Sequence, residues 1–154
     1  MQQDLDSLAF DLFKLYAQYE YALKAMGYGR AGRSGQAEPD WDRFAREIGC
    51  HVMTLDDDRI VNARQYLFGQ PPKRQVWVNG TVEWEAVSSS DRTAQGLFGH
   101  LRRVRNNLYH GGKFNGRWIA PDRSRDLIAH SLTLLEALVK HDTNLKNAIY
   151  GNAG

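Results

Sequence analysis

The chain has 154 residues, with a formal net charge of +2, 42% hydrophobic residues and 25% charged residues. This composition is typical of a globular domain with a substantial core, and it argues against a disordered chain or a fibre. A net charge this small does not by itself indicate nucleic-acid binding. We therefore interpret residues 1–154 as a single domain.

Cysteine content and hydropathy narrow the setting further. Cys50 is the only cysteine, which excludes an intrachain disulfide and a cysteine-rich metal site. The first residues, MQQDLDSLAF, lack the basic segment and apolar run of a signal peptide, and no stretch approaches the length of a membrane span. We expect a cytoplasmic protein with no membrane association, no bound metal and no cofactor.

The first predicted element is a helix over residues 4–26. Its apolar residues recur at alternating steps of three and four, which places them on one side of a helix: Leu5, Leu8, Leu12, Leu15, Tyr19, Ala22 and Met26. Gly27 and Gly29 end it.

Residues 27–39, GYGRAGRSGQAEP, predict a flexible basic loop. They contain G-x-G-x-x-G, but no strand precedes it, so a dinucleotide site is not expected.

Two further helices are predicted before residue 72. Asp40 is expected to cap a short helix that contains Trp41 and Phe44. Thr54 with Asp57 resembles a capping box, which predicts a helix from Thr54 to about residue 68. The two prolines at 71–72 end it.

Residues 75–84, QVWVNGTVEW, predict a β-hairpin. Valine, threonine and tryptophan favour strands, and Asn79-Gly80 is the preferred two-residue turn. Trp77 and Trp84 are expected to pack this hairpin against the helices, in preference to stacking on bases.

The remainder of the chain predicts two long helices. The first follows SSSD (88–91), which is predicted to form the loop and the N-cap, and runs to about residue 109. The second runs from Pro121 to about residue 149. The second has a wide apolar face: Leu127, Ile128, Leu132, Leu134, Leu135, Leu138 and Val139. The expected fold is therefore an all-α, up-and-down bundle of four to five helices with a small inserted β-hairpin around residues 75–84.

Positive charge is concentrated in one region of this nearly neutral chain. No carboxylate side chain lies between residues 91 and 122, whereas six cations do: Arg92, Arg102, Arg103, Arg105, Lys113 and Arg117. Such a local field can hold an anion. On the helix over 91–109, Arg102, Asn106 and His110 form a row away from the core, and Arg105 lies at the edge of the core-facing side. His100 is expected at the surface.

Arg105 and His110 are separated by about 140° around an ideal helix. One undistorted helix therefore does not direct both at one small target. Either the last turn loosens before Gly111, or two copies of the helix meet in a homodimer and share a site. We favour the homodimer.

The segment RNNLYH (105–110) resembles the R-polar-x3-H motif of the HEPN superfamily, with Arg105, Asn106 and His110 at the motif positions. The resemblance is strongest over residues 97–114, and it implies a small HEPN-like helical domain covering 1–154. In such families the motif is the active site of a metal-independent endoribonuclease that usually works as a dimer, often in toxin–antitoxin or antiviral systems. It therefore implies RNA as substrate and an antitoxin protein as a possible partner.

The residues themselves suit cleavage of RNA. Histidine accepts and donates protons near neutral pH, and the planar guanidinium group of Arg105 matches phosphate geometry. Asn106 is a candidate for orienting His110 or the phosphate. Arg102, Tyr109 and Lys113 are candidates for RNA binding.

Three alternatives stay open. In the first, His110 has only a structural role, because a positively charged side chain at a helix C-terminus interacts favourably with the helix dipole. A catalytically silent module of this type would bind RNA or a nucleotide without cutting it. A helical dimerisation scaffold would bind neither.

Overall fold

The computed structural model describes residues 3–88, 91–111, 113 and 116–151. These residues form six α-helices: α1 (Leu5–Ala25), α2 (Trp41–Glu47), α3 (Asp58–Gly69), α4 (Ala94–Tyr109), α5 (Pro121–His141) and α6 (Thr143–Tyr150). They also form two antiparallel hairpins: β1 (Gly29–Ala31) with β2 (Ala37–Pro39), and β3 (Arg74–Val78) with β4 (Thr81–Glu85). A 3-10 helix, Gly49–Met53, follows α2. The predicted mainly helical fold with a hairpin is confirmed, whereas its up-and-down order stays a prediction.

The core lies where α5 packs against α1 and α3, with α2 on α4 and α6 on α1. The predicted apolar face of α5 is buried, as are Leu5, Leu12, Leu15, Tyr19 and Ala22 of the predicted α1 stripe. The Tyr19 hydroxyl donates a hydrogen bond to the Leu135 carbonyl of α5. Trp41 stacks with Tyr16 and with Phe98, which joins α1, α2 and α4.

Residues 27–39 are not the flexible loop that the sequence predicted. Strands β1 and β2 pair there, Arg30 forms an ion pair with Glu38, and Gly35 turns the chain at φ +80°. The prediction was wrong because these two short strands lack the alternating β-branched and aromatic residues by which strands are recognised.

Helix α3 begins four residues later than the capping box predicted. The Thr54 hydroxyl donates to the His51 carbonyl at the end of the 3-10 helix, so it caps no α-helix. Asp57 is the cap instead, and its carboxylate accepts from the Arg59 amide at 2.9 Å. Similarly, Thr93 rather than residues 88–91 caps α4, by accepting from the Gly96 amide.

The hairpin of β3 and β4 is confirmed, with Asn79 and Gly80 both at positive φ in the turn. Its expected packing is wrong, however. Trp77 is 71% exposed and Trp84 is 39% exposed, so these tryptophans do not bury the hairpin against the helices.

The single C-terminal helix predicted for 121–149 is divided at Asp142, which raises the number of helices in the described residues from the predicted four or five to six. Asp142 has an extended backbone, and its carboxylate accepts from the Leu145 amide at 2.8 Å. It therefore ends α5 and caps α6, an arrangement that the continuous apolar pattern does not reveal.

Replacement of the α6 cap should destabilise the protein. We expect Asp142→Ala to lower the free energy of unfolding by about 0.5–2 kcal/mol, the usual value of a helix N-cap, in urea denaturation. Asp56→Ala is the matched control, because Asp56 is exposed and caps no helix. Equal stability of the two variants would show that the Asp142 cap does not hold α6 in place.

Candidate functional site

The C-terminus of α4 presents His110 to solvent. His110 follows the last helical residue, and its amide donates to the Asn106 carbonyl at 2.9 Å. Gly111 then reverses the chain at φ +76°, a conformation that glycine adopts without strain. The last turn thus keeps its α-helical hydrogen bond, and the loosened turn considered from the sequence is not observed.

His110 lines a surface cavity of about 550 Å³ between α4 and β3, which we call the arginine groove. The groove is lined by Arg74, Gln75, Gly99, Arg102, Arg103, Asn106, Asn107 and His110. None of these described lining residues is acidic. Arg74 is paired with Glu85 at 2.6 Å, so the positive field of the groove comes mainly from Arg102 and Arg103.

Arg105 lies outside the arginine groove. Together with Tyr16 and Glu20 it lines a separate cavity of about 230 Å³, which we call the Glu20 cavity. One terminal nitrogen of Arg105 is 3.7 Å from the Glu20 carboxylate, and the other donates to the Asn106 side-chain oxygen at 2.9 Å. Its guanidinium group also lies 4.8 Å from the centre of the Tyr109 ring.

The two motif residues therefore do not converge within one chain. Arg102 and Asn106 line both the arginine groove and the Glu20 cavity, while Arg105 lines only the latter and His110 only the former. This separation follows from the undistorted geometry of α4. The predicted outward row of Arg102, Asn106 and His110 is present, with Asn106 and His110 exposed and Arg102 half-buried.

The other predicted RNA-binding residues lie in different surroundings. Tyr109 is exposed, and its ring packs edge-on at 5.2 Å from the His110 imidazole. Lys113 lies away from the groove, with its ammonium nitrogen 4.9 Å from the centre of the Trp84 ring. Burial lowers the pKa of Lys113, and the nearby Arg123 and Lys73 lower that pKa further.

Asn107 has a structural role in the fold rather than a role in binding or catalysis. It is buried, and its amide nitrogen donates to the Lys73 carbonyl at 2.9 Å, just before β3 begins. The hydrogen bond attaches the hairpin to α4. No signal in the sequence identifies it, because the two residues lie 34 positions apart.

His100 is buried rather than at the surface, with only 5% of its area exposed. It neighbours the buried stripe of α4 and packs edge-on against the Phe68 ring. Its Nδ1 lies 3.2 Å from an Arg103 nitrogen, and its buried Nε2 has no hydrogen-bond partner among the described residues. Burial lowers the pKa of His100, as does the charge of Arg103, while Asp91 opposes both effects.

Comparison with protein-family models, curated proteins and solved structures finds no match to this chain. The HEPN resemblance therefore stays a prediction that rests on Arg105, Asn106 and His110. Within the described residues, no group of three or more histidine, cysteine, aspartate or glutamate side chains is arranged to hold a metal ion. No helix among the same residues has the length and hydropathy needed to cross a membrane.

Burial of His100 should make stability depend on pH. The pKa of His100 is lower in the folded state than in the unfolded chain, so below about pH 6.5 the unfolded chain binds a proton more readily. The free energy of unfolding should therefore decrease as the pH is lowered. We expect His100→Gln to reduce this slope in urea denaturation between pH 7.5 and 5.5. His130 acts with the same sign, so the slope should shrink rather than vanish.

His51→Gln serves as the control for this experiment, because His51 is exposed. A slope that is the same in His100→Gln as in the wild type would show that His100 is not responsible for the loss of stability in acid.

Proposed function

We propose that this chain is a metal-independent endoribonuclease that acts as a homodimer, with a role in a toxin–antitoxin or antiviral system. The observation that carries the proposal is the exposed imidazole of His110 in a groove with three arginines and no acid among its described lining residues. The positive field attracts the phosphodiester backbone, and an imidazole at that place is able to transfer protons to and from it.

RNA supplies its own nucleophile. As the bond from the 2′-oxygen to phosphorus forms, the bond from phosphorus to the 5′-oxygen breaks, leaving a 2′,3′-cyclic phosphate and a 5′-hydroxyl. A base must remove the 2′-hydroxyl proton and an acid must protonate the leaving oxygen. Arg102 and Arg103 would stabilise the charge on phosphorus oxygens. A monomer offers one His110 for two proton transfers, whereas a dimer offers two.

Arg105 has to exchange partners to bind phosphate. Its ion pair with Glu20 is partly exposed and its oxygen–nitrogen distance is long, so it contributes little, about 0–1 kcal/mol. A bidentate bond between a guanidinium group and a phosphate is stronger. Phosphate is thus able to replace Glu20 as the partner of Arg105.

An exposed apolar face of α1 supports the homodimer. Phe10, Phe13, Ala17 and Tyr21 follow one another at steps of three and four on the side opposite the core, and the three aromatic rings are 52–68% exposed. Asp6 and Lys24 lie at the two ends of this face, which we call the α1 stripe.

The α1 stripe is complementary to itself. When two copies of α1 pair in antiparallel orientation, Asp6 approaches the partner's Lys24, and Phe10 approaches the partner's Tyr21, as a two-fold interface requires. Glu20 flanks the same face, so its contact places Arg105 beside the proposed interface. The outward row of α4 is a poorer interface by itself, because two copies of Arg102 would repel each other.

One observation favours a catalytically silent RNA-binding module as the second candidate. Arg105 is already engaged by Glu20 and Asn106, and it lines a different cavity from His110. If Arg105 keeps these contacts in solution, the groove retains its charge for RNA binding but lacks the second motif residue.

The nuclease is tested by incubating the protein with RNA in excess EDTA. We expect cleavage with cyclic phosphate ends, reduced about 10²–10⁴-fold in His110→Ala because a proton-transfer group is lost. His141→Ala is the matched control, since His141 is also an exposed histidine at a helix C-terminus. Arg105→Lys keeps the charge but loses the planar fork, and it should also cut more slowly.

The cleavage assay distinguishes the nuclease from its alternatives. RNA that is bound but never cut favours the silent module. Equal cleavage by His110→Ala and His141→Ala would show that His110 does not transfer protons in the reaction and would overturn the assigned site.

The dimer interface is tested by Phe13→Glu, which places a charge in the centre of the α1 stripe. We expect a monomer in sedimentation and a parallel loss of RNA cleavage, because each buried phenylalanine contributes about 1.5–3 kcal/mol. Ile119→Glu is the control, an exposed apolar residue outside α1. A variant Phe13→Glu that remains dimeric would place the interface elsewhere.

A further inference from the structure

One face of the β3–β4 hairpin exposes two tryptophans. Directly paired residues of an antiparallel hairpin project from the same face, and the pairs are Gln75 with Trp84 and Trp77 with Val82. These four residues therefore form one surface, which we call the tryptophan face. Trp77, Val82 and Trp84 are all exposed. Exposed apolar patches of this kind mark interaction surfaces.

The tryptophan face is continuous with the arginine groove. Gln75 belongs to both, and Trp77 follows it two residues, or about 7 Å, along the strand. The hydrogen bond from Asn107 to the Lys73 carbonyl holds β3 against α4. The spacing between the indoles and the groove is therefore set by the fold.

One cation borders the tryptophan face. The Lys113 ammonium nitrogen lies 4.9 Å from the centre of the Trp84 ring. A second copy of this chain on this face would bring two copies of Lys113 together. The surface instead suits a ligand that alternates flat apolar groups with negative charges.

We propose that the tryptophan face is a stacking platform for the bases of a single-stranded RNA segment whose phosphates lie in the arginine groove. This rests on the proposed function for the identity of the nucleic acid. Indole rings stack on any base, and the charged groove follows the backbone, which together bind single strands without sequence preference. A duplex keeps its bases stacked inside and offers the indoles nothing to contact. The substrate class is thus unpaired RNA.

The platform is tested separately from cleavage with a 2′-deoxy single-stranded oligonucleotide of mixed sequence. This probe has bases and phosphates but no 2′-hydroxyl, so it is not cleaved by the proposed reaction. Fluorescence anisotropy of the labelled probe measures its affinity, and quenching of tryptophan fluorescence reports stacking. The same sequence as a duplex is the comparison ligand.

We expect Trp77→Ala and Trp84→Ala each to bind the single strand about 5- to 150-fold more weakly, the usual effect of removing one stacking side chain. Trp77→Phe should retain most of the affinity, and duplex binding should change little in all variants. Tyr150→Ala is the control, an exposed aromatic residue on α6. Trp77 is so exposed that its replacement should leave the circular dichroism spectrum intact.

The platform is overturned if the wild type does not bind the single strand, or if the tryptophan variants bind it as tightly as Tyr150→Ala does. It is also overturned if Trp77→Ala changes only the oligomeric state, which would assign the face to protein contact. A wild type that binds through Trp77 and Trp84 but never cuts RNA would support the platform while rejecting the nuclease.

Discussion

The rotational setting of α4 decides what each of its polar side chains is able to reach. Leu97, Leu101 and Val104 are buried in the core, and successive residues of a helix point about 100° apart. Once these three are buried, Arg105 has to face α1, and His110 has to lie with Asn106 on the outward row, which faces the arginine groove. The division of the motif between two cavities is a consequence of the core packing.

Asn107 connects α4 to the β3–β4 hairpin through a hydrogen bond. A buried asparagine in a helix is costly unless its amide is hydrogen-bonded, and the Lys73 carbonyl meets this requirement. The same bond brings β3 beside the basic row of α4. This bond helps to hold β3 as the second wall of the arginine groove and the tryptophan face beside the arginines.

The arginines on this surface differ in whether an acidic side chain lies beside them. The arginine groove has no acidic lining residue among those described, whereas Arg105 is held by Glu20. Glu20 therefore competes with any phosphate for Arg105. Under the proposed function, RNA binding and dimer formation both act at this contact, because Glu20 also flanks the α1 stripe.

Local patterns in the sequence determined most of the helices, the β3–β4 turn and the outward row of Arg102, Asn106 and His110. These features depend on residues within one or two helical turns, or on the preference of Asn79-Gly80 for positive φ. The sequence also indicates the exposed aromatic face of α1, because Phe10 and Phe13 lie outside the predicted core stripe of that helix. The division at Asp142 was hidden by an apolar pattern that continues across it.

Only the tertiary structure decided which side chains meet. The burial of His100 against Phe68, the contact of Arg105 with Glu20 and the exposure of Trp77 all depend on segments distant in the chain. Sequence periodicity specifies the face of a helix on which a residue lies, but not the element that packs against that face. The motif residues were identified from the sequence, whereas their separation into two cavities was decided by the packing of α4 between α1 and the hairpin.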